Sequence, residues 1–251
     1  MKVVAVRDYQ EMSDLAAKYI IQQVKKKPSS VLGLATGSTP KGTYQKLIED
    51  AEKNGTSYAQ VRTINLDEYV GLGQDHPQSY RYFMKANLFN HIDILKKNTY
   101  VPNGKAFNLD EECQCYEQLV RSIGVDLQLL GIGVNGHIGF NEPGTPFHSS
   151  THIVKLADST RKANSRFFET VEEVPKSAIT MGIDSILQSK EIVLLASGSK
   201  KADALQKLVS GKTEDKFPAS ALKLHPNVTL IADYEALAKV PQVVGSIVEG
   251  K

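Results

Sequence analysis

Residues 31–44 read VLGLATGSTPKGTY. The apolar start, Val31–Ala35, is typical of a buried strand, and the TGST that follows it is typical of a turn. Ser38 or Thr39 would cap a helix well, and Pro40 suits the first helical position. A buried strand that turns directly into a helix is the repeating unit of a parallel sheet covered by helices.

The same alternation continues along the chain. Apolar runs typical of strands lie at Val3–Val6, Val31–Ala35, Val61–Leu66, Asp126–Ile132, Glu191–Ala196 and Val228–Ala232. Helical patterns lie at about Glu11–Lys26, Pro40–Asn54, Ser79–Leu88, Glu111–Ser122, Ser177–Ser189, Lys200–Ser210 and in the C-terminal stretch. This order predicts an α/β fold, an open and mostly parallel sheet with helices on both faces. No linker divides the chain, so we predict one domain over residues 1–251.

Composition excludes several classes of protein. The 251 residues carry a net charge of +2 and are 41% hydrophobic, which excludes disorder and gives no reason to expect nucleic-acid binding. We expect no membrane span, because no apolar run approaches about 18 residues. The start, MKVVAVRDYQ, lacks the apolar core of a signal peptide. Cys113 and Cys115 face apart on a predicted helix, so we expect reduced thiols, no metal site and a cytoplasmic protein.

Ligands of open parallel sheets bind at the carboxyl ends of the strands, and three strand ends here run into polar sequence. After the first, a glycine-bearing turn feeds a helix N-terminus, which can present N–H groups to an anion, with Ser38 and Thr39 as further donors. Thr43 stands where a nucleotide-binding P-loop requires lysine. The turn is therefore either a phosphate site without nucleotide specificity or a plain capped turn.

Two acidic residues, Asp67 and Glu68, follow the strand Val61–Leu66. They are either a solvated turn or a catalytic carboxylate with its neighbour. Adjacent residues leaving a strand point to opposite sides, so at most one should face a given pocket. Apolar and aromatic neighbours such as Tyr69 favour a walled pocket, in which partial burial would raise the carboxyl pKa into a range useful for proton transfer.

The third strand end is a glycine-rich loop that carries several polar groups. Residues 131–136, GIGVNG, match the dinucleotide pattern GxGxxG, but the glycines and proline that follow oppose the helix that a dinucleotide site requires. Asn135, His137, Asn141 and Glu142 fall within eight residues. A carboxylate hydrogen-bonded to the imidazole would fix its tautomer for acid–base work. The alternative is a packed loop histidine.

Six stretches resemble the glucosamine-6-phosphate isomerase/deaminase family, and together they span nearly the whole chain. They are LGLATGSTP (32–40), NLDEYVGL (65–72), SYRYFMKANLFNHIDI (79–94), GIGVNGHIGFNEPG (131–144), TRKANSRFF (160–168) and FPASALKLH (217–225). The resemblance implies a modified Rossmann fold. It also implies conversion of glucosamine 6-phosphate and water into fructose 6-phosphate and ammonia, with no metal or organic cofactor.

The resemblance also assigns roles. His137 would open the sugar ring, with Glu142 and Asn135 orienting it, and Asp67 would move a proton from C2 to C1. The expected substrate-binding residues are Ser38, Thr39, Glu68, Gly136, Arg166 and Lys201, of which Arg166 and Lys201 would hold the phosphate. Residues at about 140–168 would form a lid over the sugar.

The sequence departs from the family in two places. Many members carry Asp where this chain has Asn135, which leaves Glu142 as the main charge beside His137. Members activated by N-acetylglucosamine 6-phosphate carry basic residues where this chain has His152 and Val154, so we expect no such activation and favour a monomer.

Two other functions fit the same fold. One is a 6-phosphogluconolactonase or sugar-phosphate isomerase, which releases no ammonia. The other is a non-catalytic sugar-phosphate sensor, which predicts a DNA-binding segment or lost catalytic groups; here Asp67, His137 and Glu142 are all present.

Overall fold

The computed structural model describes residues 1–241 and 247–249. Its strands are β1 (Lys2–Val6), β2 (Val31–Leu34), β3 (Arg62–Asn65), β4 (Asp67–Tyr69), β5 (Thr99–Tyr100), β6 (Leu127–Gly131), β7 (His152–Lys155), β8 (Ser177–Thr180), β9 (Ile192–Ala196), β10 (Val228–Asp233) and β11 (Ile247–Glu249). The α-helices are α1 (Tyr9–Lys26), α2 (Lys41–Asn54), α3 (Tyr80–Asn87), α4 (Leu109–Ile123), α5 (Asp158–Asn164), α6 (Ile183–Leu187), α7 (Ala202–Ser210) and α8 (Tyr234–Leu237).

Eight strands form the main sheet, in the order β11-β1-β10-β9-β6-β2-β3-β5, and each pairs in parallel with its neighbours. A second, antiparallel sheet has the order β4-β8-β7. The predicted α/β class with a mostly parallel sheet is therefore confirmed.

Successive strand residues pack into separate cores on the two faces of the sheet. On β9, Leu194 belongs to the core that includes Leu205 of α7, whereas Leu195 belongs to the core that includes Ile20 of α1 and Leu47 of α2. This alternation follows from the period of two of a strand that is buried on both sides. It explains why β9 is a continuous apolar run in the sequence.

The strand order brings the polar strand ends together. Strands β9, β6, β2 and β3 are consecutive neighbours, and because all four are parallel their carboxyl ends lie at one edge of the sheet. The segments that follow them carry Ser38, Asp67, His137 and Lys201. The sheet thus places at one edge four groups that are far apart in sequence.

Several predicted elements differ in the structure. Helix α2 begins at Lys41, and its cap, Pro40, makes no side-chain cap bond, so Ser38 and Thr39 do not cap it. The predicted helix at Ser177–Ser189 is wrong at its start, because residues 177–180 form β8 and the helix is limited to α6.

The lid expected at 140–168 is not irregular throughout, since it contains β7, α5 and a 3₁₀ turn at Ser165–Phe167. The predicted C-terminal helix is limited to α8 and is followed by β11, with residues 242–246 outside the described part of the chain.

Candidate active site

A cavity of about 410 Å³ opens at the carboxyl edge of the main sheet. Six of the residues expected from the sequence line it, namely Ser38, Thr39, Asp67, Asn135, His137 and Lys201. The three polar strand ends therefore meet in one cavity. Its volume suits a small metabolite rather than a polymer.

Asp67 is the first residue of β4 and is 6% exposed. Burial raises its carboxyl pKa well above the usual value, and the charge of Glu68 raises it further. Gly139 lies opposite, with φ at +57°, and a Cβ there would be 3.5 Å from Asp67 Oδ2. The missing side chain therefore leaves the carboxyl accessible from the cavity. A carboxyl with a raised pKa is suited to taking and returning a proton.

Glu68, which was expected to bind substrate, lies outside the cavity lining. Its carboxylate accepts backbone N–H bonds from Tyr69 at 2.8 Å, Tyr80 at 2.9 Å and Arg81 at 3.0 Å. It therefore occupies N–H groups at the start of α3, which a helix leaves unpaired. Burial raises the pKa of this carboxyl, and the backbone donors oppose that rise. The alternation of strand side chains explains the outcome, because Asp67 and Glu68 point to opposite sides.

His137, Glu142 and Asn135 are brought together by the loop after β6. Asn135 Nδ2 donates to Glu142 Oε2 at 2.9 Å, and Asn135 Oδ1 accepts the backbone N–H of His137 at 3.2 Å. The distance from His137 Nδ1 to Glu142 Oε2 is 3.9 Å. That is too long for the expected hydrogen bond between ring and carboxylate, so the pair interacts through charge.

The His137 pKa is lowered mainly by burial. The positive charge of Lys201 also lowers it, whereas the negative charge of Glu142 raises it. The imidazole is therefore neutral at neutral pH. One ring nitrogen can accept a proton while the other carries one.

Two glycines explain the conformation of this loop. A Cβ on Gly133 would lie 2.6 Å from His137 Cγ and closer still to Nδ1 and Cε1. Gly136 has φ at +85°, and a Cβ there would overlap the ring of Phe217. Gly136 is buried, and its carbonyl accepts the N–H of Ala219 at 2.8 Å, so it shapes the loop and lies outside the cavity lining where substrate contact was expected.

Two cations lie near the Ser38 end of the cavity, Lys201 in its lining and Arg166 outside the lining but in contact with Ser38. Arg166 Nη2 donates to Ser38 Oγ at 3.2 Å, and Lys201 Nζ donates to the carbonyl of Ile132 at 2.6 Å. Burial lowers the Lys201 pKa, and the nearby Arg166 lowers it further. Paired cations beside hydroxyl groups are typical of a phosphate site.

The N–H groups expected at this helix start are partly used. The N–H of Gly42 donates to Tyr9 Oη at 2.8 Å, and Tyr9 Oη donates to the carbonyl of Ser38 at 3.0 Å. Tyr9 thus ties the turn to α1. The N–H of Gly42 is therefore not available to an anion.

An aromatic wall beside Asp67 was not predicted from the sequence. The rings of Tyr80 and Phe140 stack with centroids 5.9 Å apart, and Phe168 meets Tyr69 edge-on at 5.9 Å. The apolar residues around Asp67 were the available signal, but Phe140 and Phe168 come from other segments. The wall is the apolar surrounding that accounts for the raised pKa of Asp67.

Within residues 1–241 and 247–249, no three His, Cys, Asp or Glu side chains are grouped as metal ligands. No helix in the same part of the chain is long and apolar enough to cross a membrane.

Comparison with known proteins agrees with this geometry. Residues 7–231 match the family model of glucosamine-6-phosphate isomerases/6-phosphogluconolactonase. The glucosamine-6-phosphate deaminase of Geobacillus sp. (strain WCH70) is 59% identical over 96% of this chain and 96% of its own. Glucosamine-6-phosphate deaminase 1 of Bacillus subtilis (strain 168) is 51% identical over 96% of this chain and 100% of its own.

Two solved structures show the same fold. A structure described as a monomeric glucosamine-6-phosphate deaminase has a TM-score of 0.94 and 51% identity, covering 95% of this chain and 100% of its own. The 6-phosphogluconolactonase of Trypanosoma cruzi has a TM-score of 0.75 over 94% of this chain and 96% of its own, at 19% identity, a likeness of fold alone. The chain belongs to the glucosamine-6-phosphate isomerase/6-phosphogluconolactonase family.

Proposed function

We propose that this chain is a glucosamine-6-phosphate deaminase, which converts glucosamine 6-phosphate and water into fructose 6-phosphate and ammonia. One observation carries the proposal: a single cavity contains a buried carboxyl, Asp67, and a neutral imidazole, His137, with Lys201 at its edge. Two proton-transfer groups and a cation suit isomerisation of a phosphorylated sugar. Curated relatives at 51–59% identity that bear this enzyme's name support the choice of an amino sugar.

The phosphate is placed at the Ser38 end of the cavity, where Ser38 and Thr39 offer hydroxyl groups. Arg166 and Lys201 supply the charge. Binding energy from this remote group positions the reacting carbons between Asp67 and His137.

Ring opening is assigned to His137. Its neutral ring takes the proton from the C1 hydroxyl and delivers a proton to the ring oxygen as the C1–O5 bond breaks, which leaves an open-chain aldehyde. Glu142 stabilises the transient imidazolium by charge, and Asn135 holds Glu142 in place. Each general acid–base step of this kind contributes roughly 10²- to 10⁴-fold.

Isomerisation and loss of nitrogen follow at Asp67. Its carboxylate removes the C2 proton while O1 gains the proton that the ammonium group loses, which gives an enolamine. The protonated carboxyl then returns its proton to C1, so that an iminium forms at C2. Water adds to that carbon, the C–N bond breaks, and ammonia leaves with the ketose. Because burial raises the Asp67 pKa, the carboxylate is a stronger base than a solvated aspartate would be.

We also propose that N-acetylglucosamine 6-phosphate does not activate the enzyme. Val154 on β7 packs against the apolar cluster that includes Tyr69 and Phe140, and an aliphatic side chain cannot bind a phosphate. We further propose a monomer in the cytoplasm, with residues 140–168 as a lid. The monomeric relative at 51% identity supports the monomer, and the two unpaired cysteines support the cytoplasm.

The test is a coupled ammonia assay with glucosamine 6-phosphate. Wild type, Asp67→Asn and His137→Gln are compared, with N-acetylglucosamine 6-phosphate added to half of the samples. Ammonia and fructose 6-phosphate from wild type alone, at a rate that the acetylated sugar leaves unchanged, support the proposal. If wild type releases no ammonia, the result favours a lactonase or a sugar-phosphate isomerase. Activation by the acetylated sugar would contradict only the proposal that N-acetylglucosamine 6-phosphate is not an activator.

A further inference from the structure

Helix α5 places the side chain of Thr160 against the carboxylate of Glu142. Thr160 lines the cavity, is 4% exposed, and its Oγ1 donates a hydrogen bond to Glu142 Oε1. The other carboxylate oxygen, Oε2, accepts the amide of Asn135 at 2.9 Å. Glu142 is thus bound at both oxygens, once by its own loop and once by α5. Two donors on different segments fix the plane of the carboxylate as well as its position.

That plane determines how the negative charge meets the imidazole. Glu142 Oε2 is the oxygen that lies 3.9 Å from His137 Nδ1. Rotation of the carboxylate about its last torsion would move Oε2 away from the ring or bring it into direct contact. A bond to Oε1 resists that rotation, because it holds the opposite oxygen.

The helix that carries Thr160 is itself fixed to the strand that carries Asp67. Asn164, one turn further on and on the same helical face, donates to Tyr69 Oη at 2.9 Å. Tyr69 belongs to β4, two residues after Asp67. One face of α5 therefore contacts the elements that carry both proton-transfer groups.

We propose that Thr160 is a positioning residue for ring opening, whose hydroxyl orients the Glu142 carboxylate toward His137. This inference rests on the proposed function, since it assigns Glu142 a role only if His137 opens a sugar ring. Thr160 acts through Glu142 and supplies no proton to the substrate.

The experiment removes the hydroxyl with little change of shape. In Thr160→Val, Oε1 of Glu142 would face a methyl group instead of a hydroxyl. The Glu142 side chain is only 12% exposed, so little water can replace the lost hydrogen bond. We expect kcat for ammonia release to fall roughly 10- to 100-fold, the range for losing a hydrogen bond to a charged group. Thr160→Ser keeps the hydroxyl and should restore kcat to within about threefold of wild type.

The affinity of the Thr160 variants for a substrate analogue distinguishes a positioning role of Thr160 from a purely structural one. The probe is the open-chain alditol made by reducing glucosamine 6-phosphate, which needs no ring opening. Its Kd and the KM of the substrate should stay within about twofold in Thr160→Val, because the phosphate contacts are intact. Ser165→Ala is the matched control on the same segment, since its hydroxyl donates to the Lys162 carbonyl at 2.8 Å. That variant should leave kcat unchanged.

Three results would overturn the proposal. They are a Thr160→Val enzyme with wild-type kcat, a serine variant as slow as the valine variant, and an alditol Kd that rises in step with the loss of kcat. If the valine variant does not fold, Thr160→Ala and Thr160→Ser give the same comparison of one hydroxyl. Wild type without ammonia release contradicts the proposed function, whereas active wild type beside an equally active Thr160→Val contradicts only the role of Thr160.

Discussion

Gly133→Ala tests whether the position of the imidazole matters. Gly133 lies beneath the His137 ring, and its N–H donates to the His137 carbonyl at 2.9 Å. An added Cβ would lie 2.6 Å from Cγ of that ring. Carbon atoms in contact are about 3.5–4.0 Å apart, so the ring must move by about 1 Å.

The cost should appear in catalysis more than in folding. The side chain of His137 is 26% exposed to the cavity, so the ring has space to move in that direction. We therefore expect a loss of about 1 kcal/mol in the free energy of unfolding, the lower end of the range for overpacking. A displacement of about 1 Å at a reacting group costs roughly 10²-fold in rate, so kcat should fall about 100-fold.

Ammonia release measures kcat, and thermal unfolding measures stability. Gly73→Ala is the control, because a Cβ there meets only Lys105 Cδ at 3.5 Å, an ordinary contact. That variant should match wild type in both measurements. If Gly133→Ala keeps kcat within about twofold of wild type while folding normally, the placement of His137 by the loop is not required, and the reasoning from ring position fails.

Asp67→Asn should abolish ammonia release yet raise Tm. The wild-type Asp67 pKa is raised on folding, so its burial increasingly destabilises the protein as pH rises above the unfolded value, and the Tm advantage of the variant should grow from pH 4 to pH 7. In wild type, kcat/KM should rise with pH through the same raised pKa, because the base must be ionised, and a flat acid limb would contradict that role. Glu68→Gln should lower the free energy of unfolding by about 1–3 kcal/mol in urea titrations, through lost backbone hydrogen bonds, with KM unchanged. Lys201→Met should raise KM about tenfold or more and raise the His137 pKa, which NMR titration can follow.

The main sheet was predictable because its strands are buried on both faces. Ile192–Ala196 is apolar throughout, Val228–Asp233 is buried throughout, and no helical period interrupts either run. The small sheet was not predictable in this way. Ser177–Thr180 is short and leads directly into a helical pattern, so its pairing with β4 and β7 depends on residues far away in the chain.

The candidate site was predictable at the level of strand ends. The resemblance supplied Arg166 and Lys201, and the cluster of polar residues around His137 pointed to one site. The contacts within it were not predictable. Glu142 receives its hydrogen bonds from Asn135 and Thr160 and meets His137 only by charge, a geometry that a list of neighbouring residues does not contain.

The cavity separates two electrostatic environments, and the separation accounts for the different states of its acid–base groups. Asp67 lies beside an aromatic wall, where ionisation is costly and the pKa is raised. His137 lies toward Lys201, where both burial and positive charge favour the neutral ring. A phosphate dianion bound at Arg166 and Lys201 offsets that positive charge, so the imidazolium that forms during ring opening becomes less costly once the substrate is in place. The remote phosphate thus contributes to the chemistry as well as to binding, because it lowers the free-energy cost of protonating His137 during ring opening.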